Sequence, residues 1–452
     1  MAEGSAGGFG LWASMAVLGA CVLLPYNSLL TAQPYFQCNA FKGMGFPFTS
    51  MLFYSSFLSI SQVFLIFGGD SLSLRIRLRL AFISAFLICA LLVVWSFLAR
   101  EWPNNAVIYG LTLATVAALG LSNSLMQTAV LGVAGTIGPQ MSAAVMVGLG
   151  FCGLLSLGTS LLVQAIESWF KVEEANGDSG LWVSVILFLE AILVTVLSVW
   201  VYFSYLAKRN AQSAAVIAGL ENQRKGRGAE GPSVDPGIEA ALTTPTPNGT
   251  SDSSTPRSES AWARGAAVLK DVAPQALNVF GVFLLTMTIF PGVMLAWTPG
   301  DNSFFHSTDV EKTKKLRLLF QTLLIGTFQV FDVVGRAWAP RVARCVPPQW
   351  NWTLVVIRFA FLPLFMLGQR SPEMSFLWGS DEGRFVLITL VGLTNGLCAS
   401  LAMMSGPLRV EDARREVAGM AMSCVMVCGI FAGTLCALLT QIGIPAASGD
   451  SC

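Results

Sequence analysis

Histidine and charge are what this sequence has least of. Its 452 residues include one histidine, His306, and only 12% are charged, about half the share in an ordinary soluble domain. A single histidine excludes a multi-histidine metal centre. The formal net charge of +1 excludes nucleic-acid binding by bulk electrostatics, because that mode needs a basic domain.

Paired cysteine spacing is also absent. The ten cysteines are scattered through apolar runs, which argues against both a disulfide framework and a zinc site, and no cofactor is expected. The N-terminus has no basic region before its first apolar run and no clear small-residue cleavage site. We therefore interpret that run as a retained span rather than a signal peptide.

Long apolar runs dominate what is present. Hydrophobic residues make up 54% of the chain, and a membrane-spanning helix needs about 20 predominantly apolar residues in succession. Lipid cannot satisfy an open backbone, and these runs are too long and uniform for barrel strands, so we predict an all-α polytopic membrane protein. Eleven transmembrane helices are predicted, at 11–33, 47–69, 79–99, 106–132, 139–165, 180–206, 274–297, 316–338, 351–369, 383–405 and 416–441.

Lysine and arginine set the predicted orientation. With the N-terminus inside, sixteen of these residues fall in inner loops and nine in outer loops, and an inner excess is the usual bias. The cluster from Lys312 to Arg317 runs against it. An odd number of spans places the C-terminus outside. We expect a multi-pass protein of the plasma membrane with a cytoplasmic N-terminus and an extracellular C-terminus.

One polar stretch divides the spans. Residues 207–270 are rich in Ser, Thr, Pro, Gly and charge. Such a composition cannot bury enough apolar surface to fold, so we predict a disordered cytoplasmic loop. The loop separates an N-terminal six-helix half, 1–206, from a C-terminal five-helix half, 271–452. This 6+5 division is typical of transporters in which two halves surround a central path.

The most informative residues are two charges inside the eighth span. Asp332 and Arg336 are one helical turn apart, so they share a helix face, and Gln329 extends it. A charge at mid-membrane costs about 2.5–3.5 kcal/mol on the insertion scale, so such residues usually meet a partner or a watered cavity. Two interpretations follow: an ion pair that locks helices together, or a substrate contact in a transport pathway.

Polar side chains in the first and fourth spans form a second candidate group. Tyr26 follows a proline in mid-helix. Its ring suits stacking on a flat ligand, and the alternative is a simple kink with a packed tyrosine. Asn123 and Gln127 lie one turn apart on the fourth span. The Gln127 amide both donates and accepts, which suits the edge of a purine or pyrimidine; the alternative is an interhelical hydrogen bond.

Other polar residues suggest gating or proton transfer. Glu190 in the sixth span is either a proton site or a neutral acid bonded to a backbone carbonyl, and we favour the second. Pro291 is a candidate hinge near the outer end of the seventh span. Arg358, in the inner half of the ninth span, is placed to bridge to the aspartate of the eighth. Arg415 and Glu416 belong to a charged loop that either pairs to close the inner face or is simply solvated.

Several motifs together resemble the equilibrative nucleoside transporter family, with details similar to protozoan members. They are PYN in the first span, QTAVLGVAG in the fourth, TIFPGV, FDVVGR, RFAFLP and RREVAG, in this order and spacing. FDVVGR and RREVAG are quite specific together. The resemblance implies eleven helices in a major-facilitator-like arrangement. It also implies movement of nucleosides, and in some members nucleobases, by alternating access.

The resemblance further implies roles for the site residues. Asp332 and Arg336 would hold the ribose hydroxyls, as acceptor and donor. Gln127 would bond the base edge, and Tyr26 and Leu30 would line the base pocket.

Three positions depart from the family pattern. Tyr26 stands where the family usually has Trp, and Asn123 stands where mammalian members tend to have Gly. Gln329, which would sit beside the sugar, takes a place that is Asn in some relatives.

The expected substrate is a nucleoside such as adenosine or inosine, taken up within a lipid bilayer without a nucleic-acid partner. Purine uptake would be facilitative or coupled to a proton. One rival is a major-facilitator-type carrier of sugars or drugs, whose D-x-x-G-R motif lies in loops rather than inside a span. The other is a polytopic membrane enzyme, which would need a catalytic cluster near one membrane face.

Overall fold

The helices of the computed structural model follow the apolar runs. The structure describes residues 2–68, 74–169, 180–207, 261–290, 294, 297, 305, 310–370 and 380–442. In chain order the α-helices are α1 Ala2–Tyr35, α2 Phe46–Gly68, α3 Leu74–Glu101, α4 Ala106–Ile137, α5 Pro139–Trp169, α6 Leu181–Val201, α7 Ala261–Thr288, α8 Val310–Val342, α9 Asn351–Arg358, α10 Phe361–Arg370, α11 Asp381–Ser405 and α12 Arg415–Ile442. Short π-helical turns extend α1 and α6, at Phe36–Ala40 and Tyr202–Ala207.

Nine helices in the part of the chain that the structure describes are long and apolar enough to cross a membrane. The predicted eighth span lies inside α8, and the predicted ninth is divided into α9 and α10. That division has a local cause, because Pro363 has no N–H to donate to the carbonyl of Phe359, which accepts from Leu362 instead at 3.2 Å. The all-helical membrane fold is confirmed, and the count of eleven spans stays a prediction.

Helix α7 begins earlier than predicted. It starts at Ala261, so residues 261–270, assigned to a disordered loop, are helical. Buried apolar residues recur at helical spacing from this start, at Val268, Val272, Ala276 and Val279. Charged residues between them gave the segment the mean composition of a polar loop. The rest of the predicted loop, 208–260, lies outside the described residues.

Two groups of helices pack against each other. Within the α1–α6 group, α1 packs along α5 and α6, and α4 packs between α2 and α3. Within the α7–α12 group, α7 packs against α11 and α12, and α8 against α11. Between the groups, α2 and α4 meet α12 while α5 meets α8 and α11. Helix α5 therefore faces α8, which carries Asp332 and Arg336.

One end of the bundle joins the two groups by side chains, and we call it the Glu416 end. Arg77 at the start of α3 pairs with Glu416 at the start of α12, with 2.6 Å between Nη2 and Oε1. The ring of Phe67 on α2 stacks on Trp262 on α7, with centroids 4.2 Å apart.

The opposite end, which we call the Cys38 end, holds the turn after α1. Cys38 in that turn is disulfide-bonded, although the scattered cysteine spacing argued against a disulfide framework. The eight other cysteines that the structure describes are free. The hydroxyl of Tyr109 on α4 lies 2.7 Å from Thr49 Oγ1 and donates to the carbonyl of Met44 at 3.0 Å. These bonds tie the starts of α2 and α4 together.

Candidate substrate site

Asp332 and Arg336 form an ion pair in the C-terminal third of α8. Arg336 Nε donates to Asp332 Oδ2 at 2.7 Å, and each residue is only 5% exposed. The four-residue spacing that places both on one helix face also lets them bond. The guanidinium reaches further, because its Nη1 donates to the backbone carbonyl of Met146 on α5 at 3.2 Å. Arg336 thereby connects the two helix groups.

The other oxygen of the Asp332 carboxylate is held from α11. Asn395 Nδ2 donates to Asp332 Oδ1 at 2.7 Å. Asn395 Oδ1 accepts from Thr286 Oγ1 on α7 at 2.7 Å, and Thr286 Oγ1 accepts from Arg358 Nη2 at 3.0 Å. A chain of three hydrogen bonds therefore runs from Arg358 to Asp332.

Arg358 does not form the direct bridge that its sequence position suggested. The side chain is 1% exposed, and its Nε donates to Thr394 Oγ1 at 3.0 Å. Its other contacts among the described residues are to Thr286 and to backbone carbonyls. Helix α7 packs against both α9 and α11, and this places Thr286 between the guanidinium and the ion pair.

Two glycines let α11 lie close against α8. A Cβ at Gly396 would collide with the backbone oxygen of Asp332, and one at Gly392 would lie 2.7 Å from the carbonyl oxygen of Phe328. Their four-residue spacing is the small-residue pattern of closely packed membrane helices. Because Asn395 is next to Gly396, this close approach brings its amide within reach of the carboxylate.

A short strip of α5 faces the same surface of α8. A Cβ at Gly150 would lie 2.9 Å from Arg336 Cδ, and one at Gly153 would overlap the Gln329 amide. Gln329 is partly buried and makes no hydrogen bond to a described residue. The sequence prediction that Gln329 extends the face of the ion pair is consistent with this placement at the junction of α5 and α8.

An aromatic group lies on the other side of this strip. The rings of Tyr26 on α1 and Tyr54 on α2 are stacked, with centroids 3.7 Å apart and planes within 8°. Asn123 on α4 donates to the Tyr54 hydroxyl. The neighbouring Asn27 donates from Nδ2 to Cys152 Sγ on α5 at 2.9 Å. Helix α1 therefore links the stacked tyrosines to the strip that contacts the ion pair.

Gln127 and Leu30 are the other two residues predicted to contact the base. Gln127 is 3% exposed, and its amide makes no hydrogen bond to any residue that the structure describes. The interhelical bond that was its alternative interpretation is therefore not formed within that part of the chain. Since no described residue engages this amide, it keeps its capacity both to donate and to accept. Leu30 is partly buried on α1, one turn after Tyr26.

Glu190 is separate from both groups. Its Oε1 accepts from Thr159 Oγ1 on α5 at 3.0 Å, while Oε2 is buried and has no hydrogen-bond partner among the described residues. The bond to a backbone carbonyl favoured by the sequence argument is not formed among the described residues. Within the described ranges no group of three or more His, Cys, Asp or Glu residues could hold a metal ion.

The four residues predicted to gate or brace the bundle differ in their settings. Glu416 contacts Arg77 across the two helix groups. Arg415 instead pairs with Asp412 of its own segment, at 2.8 Å, and that aspartate side chain is 87% exposed. Arg358 is part of the hydrogen-bond chain already described. Pro291 lies outside the described residues.

Sequence reasoning missed Tyr54, Thr286 and the role of Asn395. Tyr54 and Thr286 stand in apolar runs with no pattern to distinguish them. Asn395 did carry a signal, since it precedes the second glycine of a Gly-x-x-x-Gly pair in mid-span. Arg77 was counted only as an inner loop charge.

Comparison with known proteins shows which sequences this chain is similar to. Residues 113–442 match the family model described as nucleoside transporter. Mouse equilibrative nucleoside transporter 1 is 24% identical, over 95% of this chain and 96% of its own length. Nucleoside transporter 1.2 of Leishmania donovani is 29% identical over 35% of this chain and 30% of its own.

A solved structure of similar fold is the proton:xylose symporter XylE, of the major facilitator superfamily. It covers 96% of this chain and 88% of its own, with a TM-score of 0.52 and 12% identity. At that identity the likeness shows the fold alone, so it does not favour the sugar or drug carrier. The nucleoside transporter model, by contrast, matches most of the sequence. The chain therefore belongs to the nucleoside transporter family.

Proposed function

We propose that this protein carries nucleosides across a membrane by alternating access, and that Asp332 and Arg336 bind the sugar. The observation that carries the proposal is a buried ion pair with bonding capacity to spare. An ionised carboxylate has about four lone-pair sites, and Arg336 and Asn395 occupy one each. The remaining sites suit the hydroxyls of a ribose, and the guanidinium supplies donors to their oxygens.

The base would lie toward the aromatic group. The Tyr26–Tyr54 stack offers an aromatic surface to a planar ring, and Leu30 offers an apolar wall. The Gln127 amide, which has no partner among the described residues, would bond the edge of the base. A nucleoside has hydroxyls at one end and a flat, partly apolar ring at the other, so one molecule could engage both groups.

Transport would follow from relative movement of the halves 1–206 and 271–452. The Arg77–Glu416 pair would hold the Glu416 end closed and break when that end opens. The disulfide at Cys38 supports a Cys38 end that faces an oxidising compartment. This is consistent with a plasma-membrane protein whose N-terminus is cytoplasmic and whose C-terminus is extracellular.

Uptake of labelled adenosine into proteoliposomes tests the proposal. The unmutated protein should take up adenosine, and excess inosine should compete, whereas xylose should not. Asp332→Asn, which keeps the shape but loses the charge, should reduce uptake to background. Normal uptake by that variant would refute the site. Competition by free nucleobases shows whether the sugar is required.

We propose that this transport is facilitative. Glu190, the proton-site candidate, bonds only to Thr159 among the described residues, and no contact connects it with Asp332. Uptake should therefore be the same with and without a proton gradient, in the unmutated protein and in Glu190→Gln. A gradient dependence that disappears in Glu190→Gln would establish proton coupling instead.

A further inference from the structure

The hydrogen bonds between Arg358 and Asp332 all run in one direction. An ionised carboxylate only accepts, so Asn395 must present Nδ2 to Asp332 and turn Oδ1 away. That oxygen can only accept. The Thr286 hydroxyl has one hydrogen and lies 2.7 Å from Asn395 Oδ1 and 2.8 Å from the backbone carbonyl of Val282. Donation to Asn395 is the choice that leaves Oδ1 with a partner. The Thr286 oxygen is then left to accept from Arg358, which can only donate. The charges at the two ends thus fix the orientation of the neutral groups between them.

The network as a whole carries one uncompensated positive charge, on Arg358 of α9. Arg336 neutralises Asp332, and Arg358 adds a second positive charge that is 1% exposed. No carboxylate contacts Arg358 among the described residues; its partners are Thr286, Thr394 and backbone carbonyls. A buried cation is costly without compensation. Hydrogen-bonded groups polarise one another in a low dielectric, so the chain conveys the influence of Arg358 to Asp332 Oδ1.

We propose that Thr286 and Asn395 are positioning residues that couple Arg358 to Asp332 and fix the carboxylate for sugar binding. This inference rests on the proposed function. The two carboxylate oxygens have independent tethers, Arg336 on Oδ2 and Asn395 on Oδ1. The Arg336 tether comes from α8 itself, so alone it does not hold the carboxylate against α7 or α11. The α7–α11 tether on Oδ1 then keeps Asp332 in place.

The test compares a nucleoside with its 2′,3′-dideoxy analogue. Both ligands share the base, and only the nucleoside carries the hydroxyls that Asp332 would accept. Affinities are measured by ligand-induced thermal stabilisation of the purified full chain, for adenosine and 2′,3′-dideoxyadenosine. The ratio of the two affinities reports the sugar contact, whereas a general loss of packing lowers both affinities together.

Thr286→Val removes the hydroxyl and nearly keeps the shape. The ratio should fall about tenfold, the size expected from disturbing one hydrogen bond to a charged group. Thr286→Ser keeps the hydroxyl and should restore the ratio. Thr288→Val is the matched control, because Thr288 is also a buried threonine of α7 but its hydroxyl bonds only to backbone carbonyls. If the Thr286→Val variant does not fold, Thr286→Ala removes the same hydroxyl and should lower the affinity ratio in the same way.

The outcomes separate this inference from the proposed function. If Asp332→Asn abolishes the ratio while Thr286→Val and Thr286→Ala leave it unchanged, the positioning role is wrong and the sugar site stands. If the unmutated protein does not distinguish the two ligands, both ideas fail. A fall in Thr286→Val that Thr286→Ser does not reverse also overturns the positioning role, because the hydroxyl would not be its cause.

Discussion

The two ion pairs that matter most in this molecule have similar lengths and different settings. Asp332 and Arg336 lie on one helix, 2.7 Å apart, with both side chains 7% exposed. Arg77 and Glu416 lie on α3 and α12, 2.6 Å apart, and the Glu416 side chain is 38% exposed. The first pair has further partners on α5 and α11. Among the described residues, the side chains of the second pair make one additional hydrogen bond, from Arg77 to the Met420 sulfur.

This difference separates a binding element from a reversible contact. The α8 pair keeps its internal geometry whatever the rest of the bundle does, because both members belong to one helix. The Arg77–Glu416 pair exists only while α3 and α12 stay together. Water reaches Glu416, although the Arg77 side chain is only 6% exposed. Breaking this pair therefore leaves its carboxylate in water, whereas separating the α8 pair leaves both charges in the membrane interior. A transport cycle needs both kinds of contact.

The largest effect is expected from Arg336→Met, which tests whether the α8 pair is truly the more stabilising one. Removing the cation leaves Asp332 buried with only the Asn395 amide. Breaking a buried pair typically costs about 3–5 kcal/mol. The apparent melting temperature of the purified protein should therefore fall further than in Glu416→Gln. Adding Asp332→Asn to Arg336→Met should recover part of the loss, because no buried charge is then left unpaired.

Two results would contradict this comparison. Equal melting temperatures for Arg336→Met and Glu416→Gln would mean that burial does not distinguish the pairs. A double variant less stable than Arg336→Met would mean that the carboxylate is stabilised by something other than Arg336.

The same contrast explains what could be predicted from the sequence. The pairing of Asp332 with Arg336 follows from a spacing of four residues and the cost of charge in lipid, both local properties. The partner of Arg77 lies 339 positions away, and no local pattern points to it. Arg358 is intermediate between these two. Its burial could be predicted from its position within a span, but its hydrogen-bonded connection to Asp332 depends on where α7 and α11 meet.

The helix bounds likewise divide into those that local sequence determines and those that it does not. The predicted spans 47–69, 383–405 and 416–441 agree with α2, α11 and α12 within two residues, since length and apolarity determine them. The start of α7 was predicted too late. Its buried valines are interspersed with charged residues, so the mean composition is that of a polar loop. The spacing of the valines is nevertheless that of an amphipathic helix. The break between α9 and α10 depends on the missing N–H of Pro363 and on bonds of a single turn, which hydropathy does not register.

A smaller effect is expected from Glu416→Gln, which tests whether the Arg77 contact holds the Glu416 end closed. Losing a partly exposed pair worth about 1 kcal/mol would shift the closed–open equilibrium about fivefold. The reaction rate of buried Cys152 with a water-soluble thiol reagent, followed by mass spectrometry of its peptide, should rise by that factor. Exposed Cys345 should react at the same rate in both proteins and serves as the internal reference.

The matched control is Arg415→Gln, for which the smallest change is expected. Arg415 is the neighbour of Glu416 and carries an ion pair of similar length, 2.8 Å, but its partner Asp412 is in the same segment and 87% exposed. Its loss should alter Cys152 labelling by less than twofold, because no side-chain contact between the helix groups is removed. If both substitutions raised labelling equally, charge at the start of α12 would govern closure, and the specific contact with Arg77 would not. If neither did, the close packing of α12 on Gly132 and Gly135 of α4 would hold this end shut without the ion pair.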